Sequence, residues 1–443
     1  MSRLSASDAT SGRQPLRPGV RHLGRVVALP HERGLLHVYV GERLLALVPS
    51  SGGGLGAVLA ALREGDLVAL QVDAAGALSH LARIGGPREP QHWLETGDAL
   101  RWRRARGGLT RMARLRWRQR ILREVRIWFD AQDFLEVDTP ARVPAPSPEP
   151  QFRPIAAGGG YLITSPEFQL KRLLVGGCER IYRLGPAFRG AESGAHHNPE
   201  FTMLEWYRAA AQSDVGVEVL ARDLEGLLGH LAPLAQEVAA ELPDEAARAG
   251  LLARADELVR RHMARATLAE LFRAHLGLDI AGVTTIEGLR AAARAGGWPG
   301  AETLPGAFDD AFFTLWERIE TRLPTAPLLV SAWPAPLASL ARLDPRDPRV
   351  AERLELYAGG LELANGFVEL TDPVEQRRRF EADLAGRAAR GMPPLPLDER
   401  FLSALDEGMP PATGMALGVE RLVMLLTGAA DIRDVLAFAH DEL

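Results

Sequence analysis

The run His197-Asn198-Pro199-Glu200-Phe201-Thr202-Met203-Leu204-Glu205-Trp206-Tyr207 is one of four short blocks that set unusual polar content between hydrophobic strands. Just upstream stands Phe188-Arg189-Gly190-Ala191-Glu192. A second block is Thr164-Ser165-Pro166-Glu167-Phe168, running into Leu170-Lys171-Arg172-Leu173. A third holds Glu355, Glu362 and Glu369 around Asn365-Gly366-Phe367, and the fourth is Gly414-Met415-Ala416-Leu417-Gly418-Val419-Glu420-Arg421.

Seven residues along a single strand would put successive glutamates on opposite faces. Ala358-Gly359-Gly360 is a turn signal, so the chain is expected to fold back there and bring Glu355 opposite or diagonal to Glu362. Facing like charges destabilise a sheet unless a cation sits between them. Two carboxylates with a gap suit Mg²⁺ that also binds phosphate oxygens. Two solvated surface acids are the plainer reading; the apolar neighbours Leu361, Leu363 and Phe367 favour a buried site. Arg189 and Arg421 each stand beside small or turn residues, where a fixed guanidinium fork suits phosphate or carboxylate.

Outward from these blocks the texture is α+β. Residues 1–19 read as a disordered tail without the apolar core of a secretory signal. From Val20 to Gly86, short alternating runs around one helical candidate predict a small β-barrel of the oligonucleotide-binding (OB) type. A connector follows over 87–108 and a larger domain over 109–443. In it, apolar spacing predicts a helix from Leu115 to Asp130, a strand over Phe134–Thr139, and alternating strands and loops from Tyr161 to Tyr207. Residues 209–322 read as a helical insertion, before strands at Pro327–Ala332 and Arg353–Leu370, a helix at Pro373–Arg390 and a last strand–helix unit.

Composition excludes several classes. A net charge of −5 rules out a polybasic coat, and the single Cys178 rules out an internal disulfide or a zinc site of several thiolates. No apolar run is long enough to span a bilayer, and a cytoplasmic location is expected. All of the 52 basic side chains are arginine except Lys171, which lies inside a polar block where a compact ammonium has a use that a broad guanidinium does not.

Together the blocks resemble the signature motifs of class II aminoacyl-tRNA synthetase catalytic domains, and most closely the lysyl branch. Within that branch they are most similar to the elongation factor P–(R)-β-lysine ligase family, from about Leu115 onward except the helical segment. The resemblance implies an antiparallel sheet flanked by helices, with the Leu115–Pro140 region forming a homodimer interface. It also implies ATP-dependent activation of lysine or β-lysine as the adenylate, and transfer to elongation factor P.

By the same resemblance Arg189 grips the α-phosphate and substrate carboxylate, Arg421 the γ-phosphate, and Glu355 and Glu362 hold Mg²⁺. Glu369 and Tyr207 recognise the side-chain ammonium and Glu167 the other amino group, while Ser165, Pro166, Leu363 and Ala416 line the substrate site. Asn198 and Gly418 line the nucleotide site. Two departures from the lysyl-tRNA synthetase pattern stand out. Ala191 replaces the usual glutamate, leaving Glu192 to serve the adenine, and Ala416 replaces a glycine, which favours β-lysine.

The OB-like segment has Tyr39 as its only aromatic, and its six arginines nearly balance five acids. Binding single-stranded nucleic acid on such a fold needs stacking aromatics in a basic groove, so a protein contact or structural role is expected and tRNA is the less favoured acceptor. The alternatives are a lysyl-tRNA synthetase and a non-catalytic paralogue.

Overall fold

The computed structural model describes residues 15–29, 34–41, 43–50, 54–88, 98–210, 215–259 and 262–443. Residues 1–14 of the expected tail, 30–33, 42 and 51–53 of the expected β-barrel, and 89–97 of the connector lie outside the described residues. The chain forms two compact units, Met1–Arg116 with Ala240–Arg248, and Trp117–Ala239 with Ala249–Leu443.

The first unit contains an antiparallel sheet whose strands run in the order Arg43–Leu47, Leu36–Val40, His22–Ala28, Leu67–Val72, Leu78–Gly85. A parallel bridge from Pro49 to Leu78 joins the two ends of that row, which makes the sheet OB-like. Inward-facing Val26, Leu36, Val38, Val68 and Leu70 fill its core. Tyr39 carries the Arg103 guanidinium 5.4 Å from its ring centre.

The second unit is built on a long sheet ordered Ala264–Thr267, Leu328–Pro334, Asp347–Ala358, Leu361–Val368, Ala412–Gly418, Glu200–Ala209, Arg180–Phe188, Leu135–Glu136. All neighbours are antiparallel except the pairs at the two edges. The expected hairpin turns at Gly359-Gly360, both at positive φ (63° and 78°), the two-residue turn that glycine permits and that fixes register. Ala358 pairs with Leu361 next to it.

One register detail decides where the acids point. Leu356 pairs with Ala364 but Tyr357 pairs with Glu362, so Leu363 is an unpaired bulge residue. The bulge shifts the two-residue alternation by one and puts Glu362 on the same face as Asn365. Glu355, opposite Asn365, shares that face.

The Leu115–Asp130 expectation is met by a helix over Arg111–Asp130, and Pro373–Ala389 is a helix capped by Asp372 on the backbone N–H groups of Val374 and Glu375. The Phe134–Thr139 strand shrinks to Leu135–Glu136 at a sheet edge, ahead of Pro140. Within Tyr161–Tyr207 the structure adds a helix, Glu167–Val175. Lys171 sits buried on its inner face with Phe168, Leu170 and Leu174, and this charge among apolar residues masked the helical period. Residues 209–322 are largely helical, but Ala264–Thr267 joins the main sheet. Their core reaches that sheet through Phe312 and Trp316, which pack on Trp333 and Tyr357 at 6.0 and 5.7 Å. Among the described residues no helix is long and apolar enough to cross a membrane.

Candidate active site

Cross-strand pairing lines up Arg183, Glu205, Ala416, Asn365 and Glu355 in one row over five adjacent strands. Residues directly opposite each other share a face, so this row is the floor of one site. The next row on that face contains Tyr207, Gly414, Phe367 and Arg353. A side chain at Gly414 would collide with Glu369 Oε1 and the Tyr207 ring, so glycine is required for this close approach.

At one end stand three carboxylates. Glu205 is buried; its Oε1 accepts from Ser165 Oγ at 2.6 Å and its Oε2 from Tyr207 Oη at 3.2 Å. Ser165 Oγ also accepts from Glu167 N at 3.0 Å, tying Glu205 to the start of the Glu167–Val175 helix behind the buried Pro166. Lys171 Nζ lies 2.6 Å from Glu167 Oε1 and 2.6 Å from Glu369 Oε2. Glu369 Oε1 is buried without a hydrogen-bond partner.

Burial pushes Glu205 up to about 7, with the charge of Glu167 adding to the effect. Glu369 is also raised: burial outweighs the pull of Lys171, and Glu167 and Glu205 add to it. A pocket with more carboxylates than cations takes up protons when empty and releases them to an arriving ammonium.

Toward the other end Glu355 is buried, accepting from Tyr357 Oη at 2.6 Å and paired with Arg353. Burial lifts it to about 7, with Arg353 opposing and Glu362 reinforcing the shift. Glu362 is held only loosely, 3.8 Å from Arg421 Nη1. Asn365 Oδ1 is buried and has no partner. Two carboxylates and an open amide oxygen on one face are hard donors that fit Mg²⁺. Among the described residues no group of three or more His, Cys, Asp or Glu makes a protein-only metal cage. Leu363, expected in the substrate site, is the buried bulge residue next to Glu362.

Arg421 donates to Glu362 O at 2.6 Å and to His197 Nε2 at 2.7 Å. Burial and then the Arg421 charge lower His197, so its ring stays neutral and can accept. Gly418 caps the start of the Val419–Thr427 helix, with only Arg421 atoms near the space a side chain would take. Arg189 lies over the Phe152 ring at 4.1 Å and reaches Thr164 O at 3.4 Å. Ala191 holds a left-handed φ of 67° and the turn sets Glu192 N 3.5 Å from Arg189 O. Asn198 uses its amide on the backbone, donating to Glu200 O at 2.6 Å and accepting from His440 N at 2.9 Å. It shapes the loop that carries His196 and His197.

Sequence reasoning quoted Glu205 and Asn365 but gave neither a role; their buried faces follow from register alone. It missed a staple in which Glu420 accepts from Thr202 N at 2.9 Å and pairs with Arg118 at 2.8 Å. Nothing in local spacing signals that contact between distant segments.

The family described as tRNA synthetases class II (D, K and N) matches residues 101–442. The chain is 38% identical over 339 residues to the elongation factor P–(R)-beta-lysine ligase of Klebsiella pneumoniae subsp. pneumoniae, covering 73% of this chain and 94% of the relative. The protein of the same name from a second Klebsiella pneumoniae strain is 37% identical over 337 residues, with 73% and 94% covered. That of Salmonella paratyphi B is 38% identical over 339 residues, again with 73% and 94% covered.

Proposed function

The chain belongs to the class II tRNA synthetases (D, K and N), and from that membership we propose that it is the ATP-dependent ligase that activates (R)-β-lysine, or lysine, and transfers it to a lysine side chain of translation elongation factor P. The carrying observation is the acidic pocket. Glu167 and Glu369 flank a single internal ammonium, Glu205 is tied in beside them through Ser165 and Tyr207, and Glu369 Oε1 is left buried without a partner. An unmatched buried acceptor of this kind is what a substrate ammonium satisfies.

In the first step the substrate carboxylate attacks the α-phosphorus and pyrophosphate leaves. Arg189 binds the α-phosphate and the carboxylate, and Arg421 binds the γ-phosphate. Both neutralise charge without a protein nucleophile. Glu355 and Glu362, with Asn365 beside them, would hold Mg²⁺, which when bound would screen the phosphate charges. Glu369 and Tyr207 take the side-chain ammonium, Glu167 the other amino group, and Glu205 supports both. Glu192 and Gly418 border the nucleotide. In the second step an uncharged acceptor ε-amine attacks the acyl carbon, AMP leaves, and the new amide nitrogen loses a proton.

Exposed Ile127 and Leu135, 44% and 58% accessible, support pairing of two copies through the Arg111–Asp130 helix and the strand after it. A cytoplasmic location goes with a translation-factor acceptor. The Tyr39 ring of the OB-like unit already carries Arg103, which favours a protein contact there over base stacking.

Incubating the protein with ATP, labelled lysine or β-lysine, and either elongation factor P or tRNA tests the reading. Label on elongation factor P is expected. Label on tRNA alone makes the chain a lysyl-tRNA synthetase, and no adenylate with either amino acid makes it a non-catalytic paralogue.

A further inference from the structure

Lys171 is the one lysine in a chain whose other basic residues are all arginine, and it is fully buried, 0% exposed. It lies one helical turn after Glu167, so the two project from the same face. Its second partner, Glu369, comes from the end of the Leu361–Val368 strand. The ammonium therefore joins two elements at a single point. A guanidinium is planar and prefers parallel contacts with one carboxylate, whereas an ammonium is a point charge that two carboxylates can approach from different sides.

The charge count gives that point a purpose. Glu167, Glu205 and Glu369 bring three carboxyl groups and Lys171 one ammonium, with Arg183 facing Glu205 from the next strand and Tyr207 between the acids. The contacts of Lys171 commit one oxygen each of Glu167 and Glu369.

We propose that Lys171 is a positioning residue for the amino-acid substrate: its ammonium pins one oxygen of Glu167 and one of Glu369, so that the remaining carboxylate oxygens are fixed to receive the two ammonium groups of a diamino acid. This rests on reading the pocket as the amino-acid site. Lys171 is also an ε-amine inside an enzyme that acylates ε-amines. Burial disfavours its charge, but Glu167 and Glu369 outweigh burial and raise its pKa, so it stays protonated and is not a nucleophile.

Because Lys171 is the only lysine, protein grown with ¹³C,¹⁵N-lysine gives one ammonium resonance, and the full chain can be followed directly. That resonance should shift on adding lysine or β-lysine and stay in place on adding ATP alone. In ATP–pyrophosphate exchange, Lys171→Met and Lys171→Arg should each raise the amino-acid KM about 10-fold or more, with the ATP KM changed less than about 2-fold. The kcat/KM profile of Lys171→Met should move to higher pH, since the acids have lost their internal counter-ion. A purely structural role would lower Tm and active fraction without splitting the two KM values. An unchanged amino-acid KM in Lys171→Met, or a wild-type resonance indifferent to the amino acid, overturns the inference. Should the variants fail to fold, the wild-type resonance decides alone. Wild-type protein that activates neither lysine strikes the proposed function itself.

Discussion

Ala416 stands directly opposite Glu205, and on its other side it faces Asn365. Its methyl group is thus the one apolar projection in a row of polar side chains. Ala416→Gly deepens the floor between a carboxylate and an unpartnered amide oxygen. The kcat/KM ratio of α-lysine to β-lysine should rise, by about 10-fold or more if one methyl carries its usual discrimination. Pyrophosphate exchange with each amino acid reads the ratio, and an unchanged ratio removes Ala416 from the specificity account.

Glu205 and Glu355, both held near 7 by burial, make the empty site a proton store. Their folded values lie above the ordinary glutamate value, so the folded state binds protons that the unfolded chain has already released. Stability from this source is present below about 4.5 and declines as pH rises through about 7. Thermal melts of the ligand-free protein should therefore fall between pH 5 and 8, and Glu205→Gln should flatten that fall. Lysine, whose ammonium replaces the protons, should stabilise more at pH 8 than at pH 5. A flat ligand-free profile, or equal stabilisation at both values, counts against the store.

Much of this was legible in the sequence because it is local. Gly359-Gly360 announced the hairpin, and spacing announced the Arg111–Asp130 and Pro373–Ala389 helices. The Glu167–Val175 helix was hidden because Lys171 interrupts its apolar face, and that charge is satisfied only by Glu369 from far along the chain. Glu205 was visible as a residue but not as part of a site, since its partners Ser165, Ala416 and Arg183 come from three other segments. Register across a sheet is a tertiary property, and neither composition nor period encodes it.

The bulge at Leu363 gives a prediction that rests on register alone. Deleting Leu363 removes the bulge and leaves Glu362 two residues from Asn365 in plain alternation, still on the face of Asn365 and Glu355, whereas Glu362→Leu removes the carboxylate from that face. Glu362→Leu should lose most Mg²⁺-dependent adenylate formation, and the deletion should keep it. Binding of the amino acid alone should survive within about 3-fold in both variants, because neither changes Glu167, Glu205 or Glu369. Calorimetry with lysine beside pyrophosphate exchange separates the two. Equal loss of both would mean that the deletion disturbs the sheet more widely.

Glu420 is side by side with Arg421, the proposed phosphate-binding residue, and its buried carboxylate is held by Arg118 and by the Thr202 backbone N–H. Arg118→Ala leaves that carboxylate without its cation, a change that in buried pairs costs about 3–5 kcal/mol. Glu420→Gln keeps an acceptor and should cost about 1 kcal/mol, the scale of one altered hydrogen bond. The urea midpoint should therefore drop clearly in the first variant and slightly in the second. Because the staple fixes the first turn of the helix that carries Arg421, the ATP KM should rise more than the amino-acid KM in Arg118→Ala. A lower midpoint with both KM values intact would make the staple a stability element that does not reach the phosphate site.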